Sequence, residues 1–115
     1  MPPAELDLLQ GTLDVLVLKT LSWGPMHGYA IAGWIGQRTG GTLAVDDAAL
    51  YKALHRLESQ GHVESEWGLS ENNRRAKYYQ LTAQGRGRLV QEAARWRRYV
   101  AAVAAVLDAA QLDPA

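Results

Sequence analysis

Leu50-Tyr51-Lys52-Ala53-Leu54-His55-Arg56-Leu57-Glu58, followed closely by Glu66-Trp67-Gly68-Leu69-Ser70-Glu71-Asn72-Asn73-Arg74-Arg75-Ala76-Lys77, is the stretch that decides the fold. Advancing 100° per residue from Leu50 gathers Leu50, Ala53, Leu54 and Leu57 on one side of a helix. Ala48, Lys52, His55 and Ser59 then point the opposite way, with Tyr51 and Arg56 on the flanks. A short helix with a buried leucine seam and an outer face of small, basic and hydrogen-bonding side chains suits the major groove of duplex DNA. Beyond it, Val63, Ser65 and Trp67 alternate with Glu64 and Glu66, and Lys77, Tyr79 and Leu81 alternate with Ala76, Tyr78 and Gln80. This period of two predicts two strands, joined by the turn-forming residues 68–74 into a hairpin with a basic tip and a basic return strand.

Two helices are expected before this stretch. Leu13, Leu16, Val17, Thr20 and Leu21 recur at helical intervals, so residues from about Thr12 to Leu21 form the first, with Thr12 as its cap and Gly24-Pro25 as its stop. The second runs from about His27 to Arg38 with Ile31, Trp34 and Ile35 on one face, and Gly40-Gly41 breaks it. Its glycines Gly28, Gly33 and Gly36 read as allowances for close packing. Thr42 to Val45 is β-prone, and Asp46 or Asp47 is placed to cap the third helix, which Gly61 ends. After the hairpin, Thr82 caps a last helix to about Leu107, and the tail 108–115 is expected to fray.

The expected architecture is mainly α with a small β-hairpin wing: a winged helix-turn-helix plus a long C-terminal helix. Residues 1–82 form the DNA-binding region and residues 83–115 the dimerisation helix and tail of one compact domain.

The chain has 115 residues and zero formal net charge, which argues against a nucleic-acid binder until the charge is divided along the chain. Residues 1–70 carry four Lys or Arg against eight acids, whereas residues 71–98 carry eight cations against Glu71 and Glu92 alone. Cationic charge concentrated in that way can neutralise a local run of phosphates. With no cysteine, no signal-peptide pattern and no apolar run of spanning length, the expectation is a soluble cytoplasmic protein without membrane contact. His27, His55 and His62 lack metal-ligand spacing. No phosphate loop, nucleophile elbow or tuned acid pair is present, so neither an enzyme, a metal nor a cofactor is expected.

Leu89, Ala93, Trp96, Val100, Val103 and Leu107 are spaced 4, 3, 4, 3, 4, an a/d seam that extends past the winged-helix core. A second copy is the simplest cover, giving a two-fold homodimer, while the part around Leu89 packs on the first helix of its own chain.

The motifs Leu9-Gln10-Gly11-Thr12-Leu13-Asp14, Leu18-Lys19-Thr20-Leu21 and His27-Gly28-Tyr29 resemble the opening of PadR-family regulators. Leu50-Tyr51 with residues 53–58 resembles the family's recognition helix, and residues 66–68 with 70–75 its wing. Tyr78-Tyr79-Gln80-Leu81-Thr82 and Gly85 carry the likeness into the last helix. Lys52 departs from it, since many members have proline there. The resemblance implies a winged-helix repressor whose short members dimerise through one C-terminal helix, with room near Trp96 for a small aromatic effector.

Taken together, Tyr51, Lys52, His55 and Arg56 are expected to read or clamp the major groove of double-stranded DNA. Arg74, Arg75 and Lys77 are expected to grip the flanking backbone or minor groove, and Tyr29 to contact a phosphate. The competing reading is a winged-helix protein-interaction module without DNA binding, which would lack the steep salt dependence of counterion release.

Overall fold

A computed structural model describes residues 11–111. Leu9 and Gln10 of the resemblance, and the end of the C-terminal tail, lie outside the described residues. The chain order is α1 (Thr12–Leu21), β1 (Met26–His27), α2 (Gly28–Arg38), α3 (Asp47–Ser59), β2 (Val63–Leu69), β3 (Arg75–Leu81) and α4 (Ala83–Leu107). The expected winged helix with a long last helix is the fold observed.

Helix α1 runs through the middle, with Val17, Leu18 and Leu21 packed among Ile31 and Ile35 of α2 and Leu50, Leu54 and Leu57 of α3. Val63, Tyr79 and Leu81 close the core from the hairpin. The buried apolar residues of α1, α2, α3 and the hairpin therefore point at one centre, and the polar faces of α3 and the hairpin are left outside.

Local chemistry sets the element ends. The Asp46 carboxylate accepts from the Ala49 amide at 3.0 Å and starts α3, while Gly61, at φ 78°, ends the chain's run beyond it. In the hairpin turn, the Ser70 carbonyl accepts from the Asn73 amide at 2.9 Å and the Arg74 carbonyl from the Ser70 amide at 2.8 Å. Asn73 takes the left-handed position this three-residue loop requires, at φ 59°. The Thr82 hydroxyl accepts from the Gly85 amide at 3.0 Å and donates to the Gly61 carbonyl at 2.6 Å. One side chain thus caps α4 and ties it to the end of α3.

Three local expectations need correction. Thr12 does not cap α1: Gly11 is the cap residue at φ 86°, in a left-handed conformation, and Thr12 is already helical, its buried hydroxyl without a protein partner. The β-prone stretch Thr42 to Val45 forms a single bridge residue, Leu43, and no strand. The free edge of β3 is taken by Met26 and His27, which pair with Tyr79 and Tyr78, and Leu43 and Val45 pack against the core instead. Of the α2 glycines only Gly28 sits against a neighbour, since an added Cβ at Gly33 or Gly36 would meet nothing within 4 Å.

Candidate nucleic-acid interface

The buried side of α3 is Leu50, Ala53, Leu54 and Leu57, each 1% exposed or less. The same helical period leaves Tyr51, Lys52, His55 and Arg56 outside. Tyr51 leans over the start of α2, where a Cβ added to Gly28 would lie 3.0 Å from the phenol oxygen. Glycine at this position lets the two helices approach, and Tyr29, 86% exposed, stands beside Tyr51 as a result. The cap of α2 is His27, whose Nδ1 accepts from the Ala30 amide at 3.1 Å. That bond requires an unprotonated Nδ1, so the neutral ring carries its proton on Nε2.

The hairpin register divides the wing into two electrically different faces. Pairing of Ser65 with Tyr79, Trp67 with Lys77 and Leu69 with Arg75 places Arg75 and Lys77 on the face that also carries Tyr79. Glu64 and Glu66, paired with Gln80 and Tyr78, occupy the other face. The return strand is therefore basic on one side only, and that side looks toward α3.

Between them lies an open cleft of about 420 Å³, lined by Tyr29, Tyr51, Trp67, Arg75, Lys77 and Tyr79 among others. An adjoining hollow of about 470 Å³ is lined by Ala48, Tyr51, Lys52, His55, Arg56 and Tyr79. Seven of the eight expected DNA-contacting residues thus surround one continuous surface with Tyr51 at its middle. Arg74 stands apart at the exposed hairpin tip.

Two of the cations are already engaged. Arg56 Nε and Nη2 donate to the two carboxylate oxygens of Asp14, at 3.3 and 2.5 Å. Its pKa is raised, chiefly by that hydrogen bond, and its fork is turned toward α1 rather than outward. Lys77 Nζ lies 3.8 Å from Glu58, whose carboxylate also accepts from the Ser65 hydroxyl at 2.5 Å. Burial, with the charge of Glu58 nearby, pushes the Tyr79 phenol above its ordinary range. Lys52, Arg74 and Arg75 make no ion pair among the described residues.

Sequence reasoning missed Asp14, Trp67 and Arg88. Asp14 is 9% exposed on a helix whose other buried residues are uncharged, and Arg88 of α4 approaches its Oδ2 at 3.9 Å. An acid inside an apolar helical stripe is a signal for a cationic partner, because an isolated buried carboxylate is costly. Trp67 holds the Arg75 guanidinium 4.7 Å from its ring centre.

The expected seam of α4 divides in two. Leu89 packs against the core of its own chain and Ala93 and Trp96 are half-buried, whereas Val100, Val103 and Leu107 are 48, 40 and 76% exposed. Trp96 stacks on Tyr99, ring centres 5.6 Å apart. Among the described residues no cluster of His, Asp or Glu could hold a metal ion. No helix there is long and apolar enough to cross a membrane.

A family model described as the transcriptional regulator PadR-like family matches residues 17–91. A PadR family transcriptional regulator from Eggerthella lenta is 33% identical, with a TM-score of 0.71, over 85% of this chain and 83% of that one. A transcriptional regulator from Clostridium thermocellum is 29% identical, with a TM-score of 0.74, over 82% of this chain and 88% of that one. Among curated proteins, an uncharacterized protein of Lysinibacillus sphaericus is 29% identical over 90 residues, 78% of this chain and 83% of that one.

Proposed function

Because this chain belongs to the PadR-like family of transcriptional regulators, we propose that it is a repressor that binds an inverted-repeat operator in duplex DNA as a homodimer. The family is one of regulators, not of enzymes. Residues 1–82 supply the DNA-binding region and residues 83–115 the dimerisation helix and tail, and the protein acts in the cytoplasm. Lys52 and His55 of α3 read base edges, Tyr51 and Tyr29 donate to phosphate oxygens, and Arg74, Arg75 and Lys77 grip the backbone flanking the site. Arg56 acts differently from the rest. With its fork on Asp14, it fixes the tilt of α3 against α1, and only its remaining nitrogen faces the duplex.

The observation that carries this reading is the convergence of Tyr29, Tyr51, Lys52, Arg75 and Lys77 on one surface, with the acidic wing residues Glu64 and Glu66 on the other face of the sheet. Such a charge division favours a polyanion on one side and repels it from the other. The exposed end of α4 covers the same end of a second copy. Trp96 and Tyr99, stacked beside that joint, form the place for a small aromatic effector.

Selection of duplexes from a random DNA pool tests the reading directly. Recovery of an inverted repeat, bound with an affinity that falls steeply with salt, is the expected outcome. No enrichment, and no salt-dependent binding to any duplex, would leave the protein-interaction module as the better account.

A further inference from the structure

The DNA-facing side of the wing is not purely cationic. Trp67 and Leu69 lie there directly across the ladder from Lys77 and Arg75 and are 59 and 67% exposed. A wing that only neutralised phosphates would have no need of a large indole facing solvent, because Lys and Arg alone supply counterion release. Trp67 instead forms one wall of the cleft that Tyr29, Tyr51, Lys77 and Tyr79 also line. The Arg75 guanidinium lies over its ring at 4.7 Å. The cleft therefore offers an apolar plane bordered by two cations and by the phenols of Tyr29, Tyr51 and Tyr79.

We propose that this cleft is the seat of one deoxyribose-phosphate strand, the one that separates the groove entered by α3 from the groove reached by the wing. In that seat Trp67 packs on the apolar face of a sugar, while Arg75 and Lys77 hold the adjoining phosphates and Tyr29 and Tyr51 donate to them. A nucleic-acid backbone sets an apolar sugar face beside each anionic phosphate, and on this side of the hairpin the Trp67 ring likewise adjoins both cations, Lys77 across the ladder and Arg75 over its face. The indole, 59% exposed in the free chain, gains buried area on binding as the sugar covers it. This inference rests on the DNA-binding reading above.

A sugar contact by Trp67 and mere support of Arg75 separate in a salt titration. The probe is a mixed-sequence DNA duplex longer than two helical turns, titrated with the full chain at several salt concentrations. Loss of a sugar contact lowers affinity equally at every salt concentration, since no counterion is released by an apolar contact. Loss of Arg75 placement flattens the slope of log affinity against log salt by about one. Trp67→Ala is expected to weaken binding about tenfold with the slope unchanged, and Trp67→Phe, which keeps a flat apolar ring, to recover most of that loss. Trp67→Thr, a strong strand former, repeats the test in a side chain that preserves the hairpin. Affinity within twofold of the native protein for both the Ala and the Thr variants overturns the proposal. A flattened slope also overturns it, by reducing Trp67 to a bed for Arg75. Absence of DNA binding by the native chain would instead remove the DNA-binding reading, and this one with it.

Discussion

At Gly85 an ideal Cβ would lie 1.9 Å from the His62 carbonyl oxygen, a rigid backbone atom that also accepts from the Thr82 amide at 3.2 Å. Neither side can yield without moving the start of α4 off the hairpin. Gly85→Ala is therefore expected to destabilise the fold by about 3 kcal/mol or more. Gly33→Ala and Gly36→Ala, in open space on α2, are expected to leave stability unchanged or raise it by about 0.5–1 kcal/mol. Urea midpoints of the three variants check this, and a common sign would contradict the packing described. Asp14 poses a different question, because it receives Arg56 from α3 and Arg88 from α4 while itself largely buried. Asp14→Asn removes the negative charge that two cations share and one of the two oxygens that accept from Arg56, and is expected to cost roughly 1–3 kcal/mol. If Arg56 is spent on holding α3, then Arg56→Ala lowers stability but leaves the salt slope of DNA binding nearly unchanged. A slope flattened as much as by removing a free arginine would return Arg56 to the phosphate-contacting group.

The elements α3 and the wing divide the work of recognition between base edges and backbone. Lys52→Ala or His55→Ala is expected to cost about 1–3 kcal/mol on the selected duplex and less on unrelated DNA. Arg74→Ala is expected to weaken binding to all duplexes alike and to flatten the salt slope by about one. Parallel titrations on selected and scrambled duplexes distinguish the two patterns, and an equal loss on both for Lys52 and His55 would move them to backbone contact. These two elements were legible in the sequence, since a 3.6-residue leucine seam, a two-residue alternation, the Asp46-Asp47 pair from which α3 takes its cap and the cap Thr82 are properties of neighbouring residues. Strand β1 was not. Two residues have no period, and Met26-His27 is extended only because β3 offers an unpaired edge to it. The commitment of Arg56 was hidden for a related reason: a helical wheel gives the direction of its side chain, but its partner lies 42 residues away in the chain. Likewise the two-residue alternation put cations on the return strand, while only the register with β2 showed which of them share the face that looks toward α3.

The molecule as a whole is elongated, 61 × 40 × 21 Å, because the 25-residue helix α4, about 37 Å long at 1.5 Å per residue, outruns the core it starts on. Tyr99, Val100, Val103, Val106 and Leu107 are 40 to 76% exposed along its second half. An apolar stretch of this extent on a single chain calls for a partner, and the a/d spacing from Trp96 onward suits the same stretch of a second copy. Val100 is half exposed in the lone chain, so a charge there costs an isolated protomer little. In a dimer the same charge is buried against its own copy without a counter-ion. Val100→Asp is therefore expected to leave a helical, cooperatively unfolding monomer rather than an unfolded chain, with the native protein dimeric by light scattering. The consequence for DNA follows from symmetry: two α3 helices related by a two-fold axis reach major-groove segments about 34 Å apart, one helical turn. The monomeric variant should then keep its weak affinity for a half-site and lose the preference for an inverted repeat over a single half. A native chain that is monomeric at micromolar concentration, or a Val100→Asp dimer that still prefers the inverted repeat, would place the joint between copies somewhere other than α4.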